Sequence, residues 1–470
     1  MREGFFSVSE RSTVREILQA SEKQWSMNCA FQAPEGPITY HELVTAVRGN
    51  AARLYGVTKG AKVLLLSDEK RIRCETALSI LSAMYAGICV ILMPSHSDAQ
   101  TVLQVAKDFQ ADVLLTDRPI HGIQCLPLGL LPEEWAQPEL PDVDGEDECM
   151  VLFTSGTTSQ PKAAMITQMN LCSDAVAGSR LIPFTPQQRY VSCLPYFHGY
   201  AILCDLIAPL MGGACLYTAS SAGILLDMIN ASPTNINGVP ELAMVIARVL
   251  ETGMNATELS ELKCILCGGA MMPLDLYEML QKHGVEVYNC YGLTEFSTAI
   301  AVNSPKLNEP RSVGLVLPCC EVQIAADGEI LARGTNLMKG YGPQGPWISR
   351  DDWFHTGDLG YLDEQGLLYI TGRKDDVINL PNGEKINPVQ IEAILEQDPA
   401  VREACVYCPI GKNYLAVRIC PEGDQGAAEN AVRCYNESQT YGRRIASLHF
   451  STEPFERNAL GKLIRRQYNE

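Results

Sequence analysis

The stretch 151–168, VLFTSGTTSQPKAAMITQ, carries residue types suited to holding an anion. Thr154, Ser155, Gly156, Thr157, Thr158 and Ser159 form a run of small residues. They cannot build a core. They offer backbone N–H groups and hydroxyls, and small side chains let the backbone approach a phosphate closely. Lys162 adds a point charge. The apolar run Val151–Phe153 before them reads as a buried strand, and a helical pattern begins near Thr167. A Ser/Thr-rich surface turn has the same composition. The spacing is not that of the G-x-x-x-x-G-K-[ST] nucleotide loop, because no Ser or Thr follows the lysine.

Other residues could share a site with this loop. His198 follows the strand-like segment Tyr190–Leu194; alone, such a histidine also reads as a satisfied structural one. Gly268-Gly269 stands at the end of the strand Lys263–Cys267 and permits close approach of a flat ligand to the backbone. The segment Tyr291-Gly292-Leu293-Thr294-Glu295 puts a ring, a hydroxyl and a hard carboxylate close together, and Asp358 lies in a turn-like TGD string. Lys462 near the C-terminus reads by itself as an ordinary solvated lysine. The pairs Cys264/Cys267 and Cys405/Cys408 have metal-like spacing, but both fall in strand patterns. Residues three apart on a strand point to opposite faces, so they read as small buried hydrophobes.

The strings themselves carry more than their composition. TSGTTSQPK at 154–162 resembles the phosphate signature of the adenylate-forming superfamily of acyl-CoA ligases, aryl acid ligases, luciferases and peptide-synthetase adenylation domains. ITYHELVTAVRGNAARL, MYAGICVILMP, LPYFHGY, YGLTE, TGDL, GRKDD, GEKINP and GKLIRR follow in that family's order, and the resemblance covers about residues 38 to 466. It implies ATP and Mg²⁺ as cofactors, a small carboxylic acid as substrate, and CoA or a carrier protein's phosphopantetheine as acyl acceptor. By resemblance, Thr154–Thr158 and Lys162 hold phosphates, Thr294 bonds the α-phosphate and Glu295 holds Mg²⁺. Gly269, Ala270, Asn289, Tyr291 and Gly292 line the adenine site, and Asp358 and Arg373 meet the ribose or phosphate. His198, Gly199, Tyr200, Gly268 and Gly269 would form the acyl pocket. Asp375 would be a hinge, and Lys462 would reach the carboxylate and α-phosphate. The catalytic set is thus Lys462, Thr294, Glu295 and His198.

The chain also departs from the family pattern. Ser159 and Ala163 replace glycines of the loop, and Gln168 stands where a histidine is usual. No acid follows Phe197-His198-Gly199-Tyr200 directly. Asp205 comes later and suits polar packing. An aryl or fatty acid is therefore favoured over an α-amino acid. A competing class is a non-catalytic nucleotide-binding pseudoenzyme.

The elements that must position these residues read as α/β. Strands and helices alternate through the first 300 residues, which predicts layered sheets with mostly parallel strands. Short strands with Gly-rich turns follow from about Val313 and resemble the family's small β-barrel. The resemblance implies an N-terminal domain over 1–374, with two α/β layered subdomains and the barrel, and a small mobile α+β lid over 375–470. A length of 470 residues requires more than one core. The net charge of −18 argues against nucleic acid or an anionic membrane as partner. Ala77–Met93 is uncharged, but Gly87 divides a helical half from a β-branched half, so no membrane span is expected. The 18 cysteines, with no targeting pattern, suggest a reducing, cytoplasmic setting.

Overall fold

The computed structural model describes residues 8–33, 36–60, 62–68, 74–154, 162–218, 231–253, 259–379, 385–409, 412, 414–439, 443–456 and 463. It divides into two compact units. The first is Met1–Val322 with Ala332–Phe354, and the second is Gln323–Leu331 with His355–Glu470.

Two sheets organise the first unit. One runs in the order Gly340–Gly342, Lys162–Thr167, Glu148–Thr154, Val90–Pro94, Val63–Ser67, Val113–Leu115 and Gln124–Leu126. Its middle strands are parallel. Val63–Ser67 is buried at every position, which is why its sequence, VLLLS, is an unbroken apolar run rather than an alternating one. The other sheet has a parallel centre of Cys215–Thr218, Arg189–Ser192, Asn235–Gly238, Cys264–Cys267 and Glu286–Tyr291. The hairpin Cys29–Ala33/Gly36–Thr39 extends one side, and Ala301–Val302 and Gly314–Val316 extend the other antiparallel.

Helix boundaries follow local chemistry. Thr13 caps Val14–Trp25 and Thr39 caps Tyr40–Thr58, each in a capping box with the glutamate three residues on, Glu16 and Glu42. Cys74–Tyr85 is a helix and Val90–Pro94 a strand, as the break at Gly87 requires. No helix among the described residues is long and apolar enough to cross a membrane.

The segment after the Ser/Thr-rich run is more structured than its sequence suggests. Lys162–Thr167 is a strand, antiparallel to Glu148–Thr154, and the helix Gln168–Leu181 starts only after it, capped by Thr167. Gln168 is fully buried. Its Oε1 accepts from Val14 N at 3.0 Å and its Nε2 donates to Met84 O at 2.9 Å. The departure from histidine here thus serves a structural junction of three helices.

The strand Phe354–Leu362, in the second unit from His355 on, pairs antiparallel with Leu367–Arg373. The hairpin Ile378–Asn379/Lys385–Ile386 leads into helix Pro388–Leu395. A three-stranded sheet, Val401–Tyr407, Leu415–Pro421 and Ile445–Phe450, packs with helix Gln425–Glu437 around its own apolar core.

Candidate active site

Glu295 lies in a single turn, Thr294–Phe296, just past the strand Glu286–Tyr291. Its Oε1 accepts from the Tyr341 hydroxyl at 2.7 Å, and its carbonyl accepts from Met338 N at 2.7 Å. The other oxygen of the carboxylate has no hydrogen bond among the described residues. Tyr341 belongs to Gly340–Gly342, which pairs antiparallel with Lys162–Thr167. That pairing places Lys162 Nζ 5.1 Å from the centre of the Tyr341 ring, within cation–π range. Burial, with the Glu295 carboxylate adding to it, pushes the Tyr341 phenol up, so it remains a donor. Tyr341 therefore joins a carboxylate and an ammonium that lie far apart in the chain. It sits in KGYGPQG, whose glycines and proline read as a turn, and only strand pairing reveals its place.

Thr154 ends its strand in register with Lys162 and is buried. Ser155, Gly156, Thr157 and Thr158 lie outside the described residues, as does Lys462.

The chain from Tyr291 to Ile300 forms a loop closed by Ile300 N donating to Tyr291 O at 2.8 Å. Gly292 is required there. A Cβ on it would lie 1.6 Å from the Thr298 carbonyl oxygen. Across from it, Ser297 and Thr298 have φ of 56° and 141°, a conformation that costs non-glycine residues free energy and is held only by surrounding contacts. Asn289, just before the loop, is buried and donates to Pro310 O at 2.8 Å. Its Oδ1 is buried without a partner.

His198 is the N-cap residue of the short helix Gly199–Ile202, with its ring centre 4.5 Å from that of Phe197. Burial holds its pKa below the usual histidine value, so the imidazole is neutral at neutral pH. Asp205, further along, is fully buried. It accepts from Cys193 N and Leu194 N at 3.2 Å each and from Asn237 Nδ2 at 2.8 Å. Burial pushes its pKa up to about 7 against the pull of these donors. Asp205 thus fixes the turn that carries His198.

Gly199, Tyr200 and Gly268 come together as the sequence suggests. A Cβ on Gly199 would lie 2.8 Å from Thr298 Oγ1; one on Gly268 would lie 2.9 Å from Cys290 Sγ and 3.1 Å from the Tyr200 ring. Beside them is an apolar cavity of about 50 Å³, walled by Tyr200, Leu203, Leu266, Cys290, Thr298 and Ala299, with Asp174 among its lining residues. Gly269, at φ 81°, and Ala270 continue the chain outward from Gly268. Asp174 and Ala299 were not singled out in the sequence. Nothing local marks an aspartate in MNLCSDAVAGS as part of a cavity that also draws walls from Cys290, Thr298 and Ala299, more than a hundred residues away.

In the second unit Asp358 is buried and register-paired with Arg373, whose Nε lies 3.2 Å from Asp358 Oδ1. Asp375 occupies an exposed position in the turn Lys374–Asp376, next to Lys374, whose Nζ lies 2.7 Å from both Asp327 and Glu329.

The model for the AMP-binding enzyme family matches residues 18–342, and that for the AMP-binding enzyme C-terminal domain matches residues 375–470. The chain belongs to the AMP-binding enzyme family. Within this family it is 30% identical to the 2-succinylbenzoate–CoA ligase of Bacillus cytotoxicus, over 95% of this chain and 98% of that one. It is 29% identical to the enzyme of the same name from Bacillus cereus strain Q1, with the same coverage. Its fold superposes on o-succinylbenzoate CoA synthetase from Bacillus subtilis, solved with the acyl-adenylate intermediate, at a TM-score of 0.80 with 25% identity and coverage of 97% and 98%. An anthranilate CoA ligase in complex with anthranoyl-AMP shares the fold at a TM-score of 0.80 with 19% identity and coverage of 98% and 97%. This AMP-binding enzyme is an acid–thiol ligase of the acyl-AMP-forming kind.

Proposed function

We propose that this AMP-binding enzyme activates an aryl or fatty carboxylic acid as its acyl-AMP and passes the acyl group to CoA. The observation that carries this reading is the Glu295–Tyr341–Lys162 cluster. It stands where residues 154 and 162, in register, bracket the Ser/Thr-rich run. Attack of a carboxylate on the α-phosphorus of ATP needs positioning and charge neutralisation rather than a side-chain nucleophile. Lys162 and the hydroxyls of 154–158 suit the phosphates. Thr294 suits the α-phosphate.

Glu295 suits Mg²⁺, since one carboxylate oxygen has no hydrogen bond among the described residues while the other is braced by Tyr341. No group of three or more His, Cys, Asp or Glu among the described residues could hold a metal ion. A single protein carboxylate fits Mg²⁺, which keeps waters and phosphates as its other ligands. When bound, the ion would neutralise charge on the phosphates.

The remaining assignments follow the same reading. Asn289, Tyr291, Gly292, Gly269 and Ala270 frame the adenine. Asp358, held by Arg373, accepts from the ribose hydroxyls. His198, neutral, stands at the mouth of the acyl pocket of Gly199, Tyr200 and Gly268. Lys462 meets the carboxylate during adenylation, and the lid over 375–470 turns about Asp375 before the thiol attacks. CoA is preferred over a carrier protein because the relatives spanning the chain are CoA ligases by name. The cysteine content supports a cytoplasmic location.

Acid-dependent ATP–pyrophosphate exchange, followed by acyl-CoA detection, tests the proposal. Exchange with an aryl or fatty acid and thioester formation with added CoA are expected. ATP binding without exchange for any acid would leave a pseudoenzyme.

A further inference from the structure

We infer that the acid this enzyme activates is a monocarboxylate whose far end is uncharged, because that end enters the apolar cavity between Tyr200, Leu266, Cys290 and Ala299. The inference rests on the ligase reading and narrows its substrate class.

The cavity shares Tyr200 with the residues assigned to the acyl group. Tyr200 is one of its walls, and Gly199 and Gly268 are kept bare by the approach of Thr298 and of Cys290 with Tyr200. None of its lining residues is Lys, Arg or His, and its open wall is apolar. The polar groups around it face away or are sealed behind the wall. The Tyr200 hydroxyl donates to Leu266 O at 2.8 Å. Asp174 Oδ2 accepts from Ala299 N at 2.9 Å, while Asp174 Oδ1 and Thr298 Oγ1 are buried with no partner. Burial pushes Asp174 well above the usual carboxylate range, against the pull of the Ala299 N–H, so its neutral form is favoured.

A second carboxylate on the substrate would meet no cation here. It would also lie next to an acid that is itself short of donors. Burying an unpaired ion is far more costly than burying an apolar group. Water cannot rescue it. The cavity is about 50 Å³, roughly a third of the ~150 Å³ apolar cavity that stays dry and takes benzene. It fits the end of an acyl group but not a charged head with its hydration shell. The names of the relatives describe an acid with two carboxyl groups, one on the ring and one on the succinyl chain. The walls of this cavity are not furnished for the second.

The test uses the full chain and hydrolysis-resistant acyl-sulfamoyl adenosines in matched pairs, read by titration calorimetry. The pairs are hexanoyl with 5-carboxypentanoyl, benzoyl with 4-carboxybenzoyl, and 4-oxo-4-phenylbutanoyl with its 2-carboxyphenyl counterpart. In every pair that binds, the uncharged member should bind at least tenfold tighter. Equal or tighter binding of a charged member overturns the inference while leaving the ligase reading intact. Failure of all pairs to bind overturns the ligase reading and the inference with it. Asp174→Asn supplies the second arm. It should narrow the uncharged-to-charged ratio several-fold with AMP affinity unchanged. A ratio that stays put removes Asp174 from the selection.

Discussion

The loop 291–300 has two ends built on opposite physical principles. At Glu295 a carboxylate accepts from the Tyr341 hydroxyl, whose ring meets the ammonium of Lys162, while Met338 N holds the Glu295 carbonyl. At Thr298 and Ala299, a few residues on, the chain walls an apolar cavity whose lining acid, Asp174, is pushed by burial toward its neutral form and has one oxygen without a partner. The first end stabilises charge by preorganised donors, which is what transfer at phosphorus needs. The second selects by excluding charge. On the proposed function, rate and specificity fall to adjacent but chemically distinct surfaces, so single substitutions should affect one far more than the other.

The largest effect is expected from Glu295→Ala. It should lower the rate of ATP–pyrophosphate exchange by about 10²–10³, the range seen when one preorganised electrostatic group is lost, with little change in the ranking of acids. A loss below tenfold would mean that Glu295 is not the metal-holding group.

Gly268→Val should act on the other surface. Its added carbons meet Cys290 Sγ and the Tyr200 ring, and overpacking of this sort costs about 1–3 kcal/mol. The KM for the acid should rise roughly tenfold or more, with the KM for ATP unmoved. Equal changes in both constants would dissolve the distinction between the two surfaces.

Tyr341→Phe removes one hydrogen bond to a charged group, worth about 1.5–3 kcal/mol. Exchange should slow about tenfold and demand more Mg²⁺, while acid selectivity stays as it was. Unchanged Mg²⁺ dependence would show that the brace on Glu295 is structural only.

The smallest effect concerns His198, which caps the short helix Gly199–Ile202. Burial lowers its pKa, so the neutral imidazole persists to more acid pH than an exposed one. The ratio kcat/KM for the acid should hold flat through neutrality and fall only below the ordinary histidine value near 6.5. His198→Asn should flatten that limb. An unchanged acid limb in the variant would assign it to another group.

The polar residues of the candidate site are legible in the sequence, because carboxylates, hydroxyls and glycines in fixed strings stand out. The capping box of Thr39 and Glu42 is likewise local, a pair that in the structure fixes where its helix begins. Lys162–Thr167 did not read as a strand, since KAAMIT lacks alternation. Both of its faces are largely buried, and its partner Gly340–Gly342 is supplied from far along the chain. The cavity was half legible. Gly199, Tyr200 and Gly268 came from motif resemblance, but Cys290, Ala299 and Asp174 look like any core residues until distant segments meet. Asp174 reaches Ala299 across 125 residues of sequence, a distance no local pattern spans.

Gly292 has a consequence for redesign. Because the backbone of Thr298 passes where a side chain at 292 would stand, and Ile300 closes on Tyr291, the segment behaves as one tight ring rather than as two independent ends. Mutations that enlarge the cavity through residues 298 or 299 will tug on the ring and shift Glu295 with it. Libraries aimed at new acids should therefore leave the ring alone and vary cavity residues outside it, at Leu203 and Leu266, where selectivity is expected to change with little effect on the chemistry.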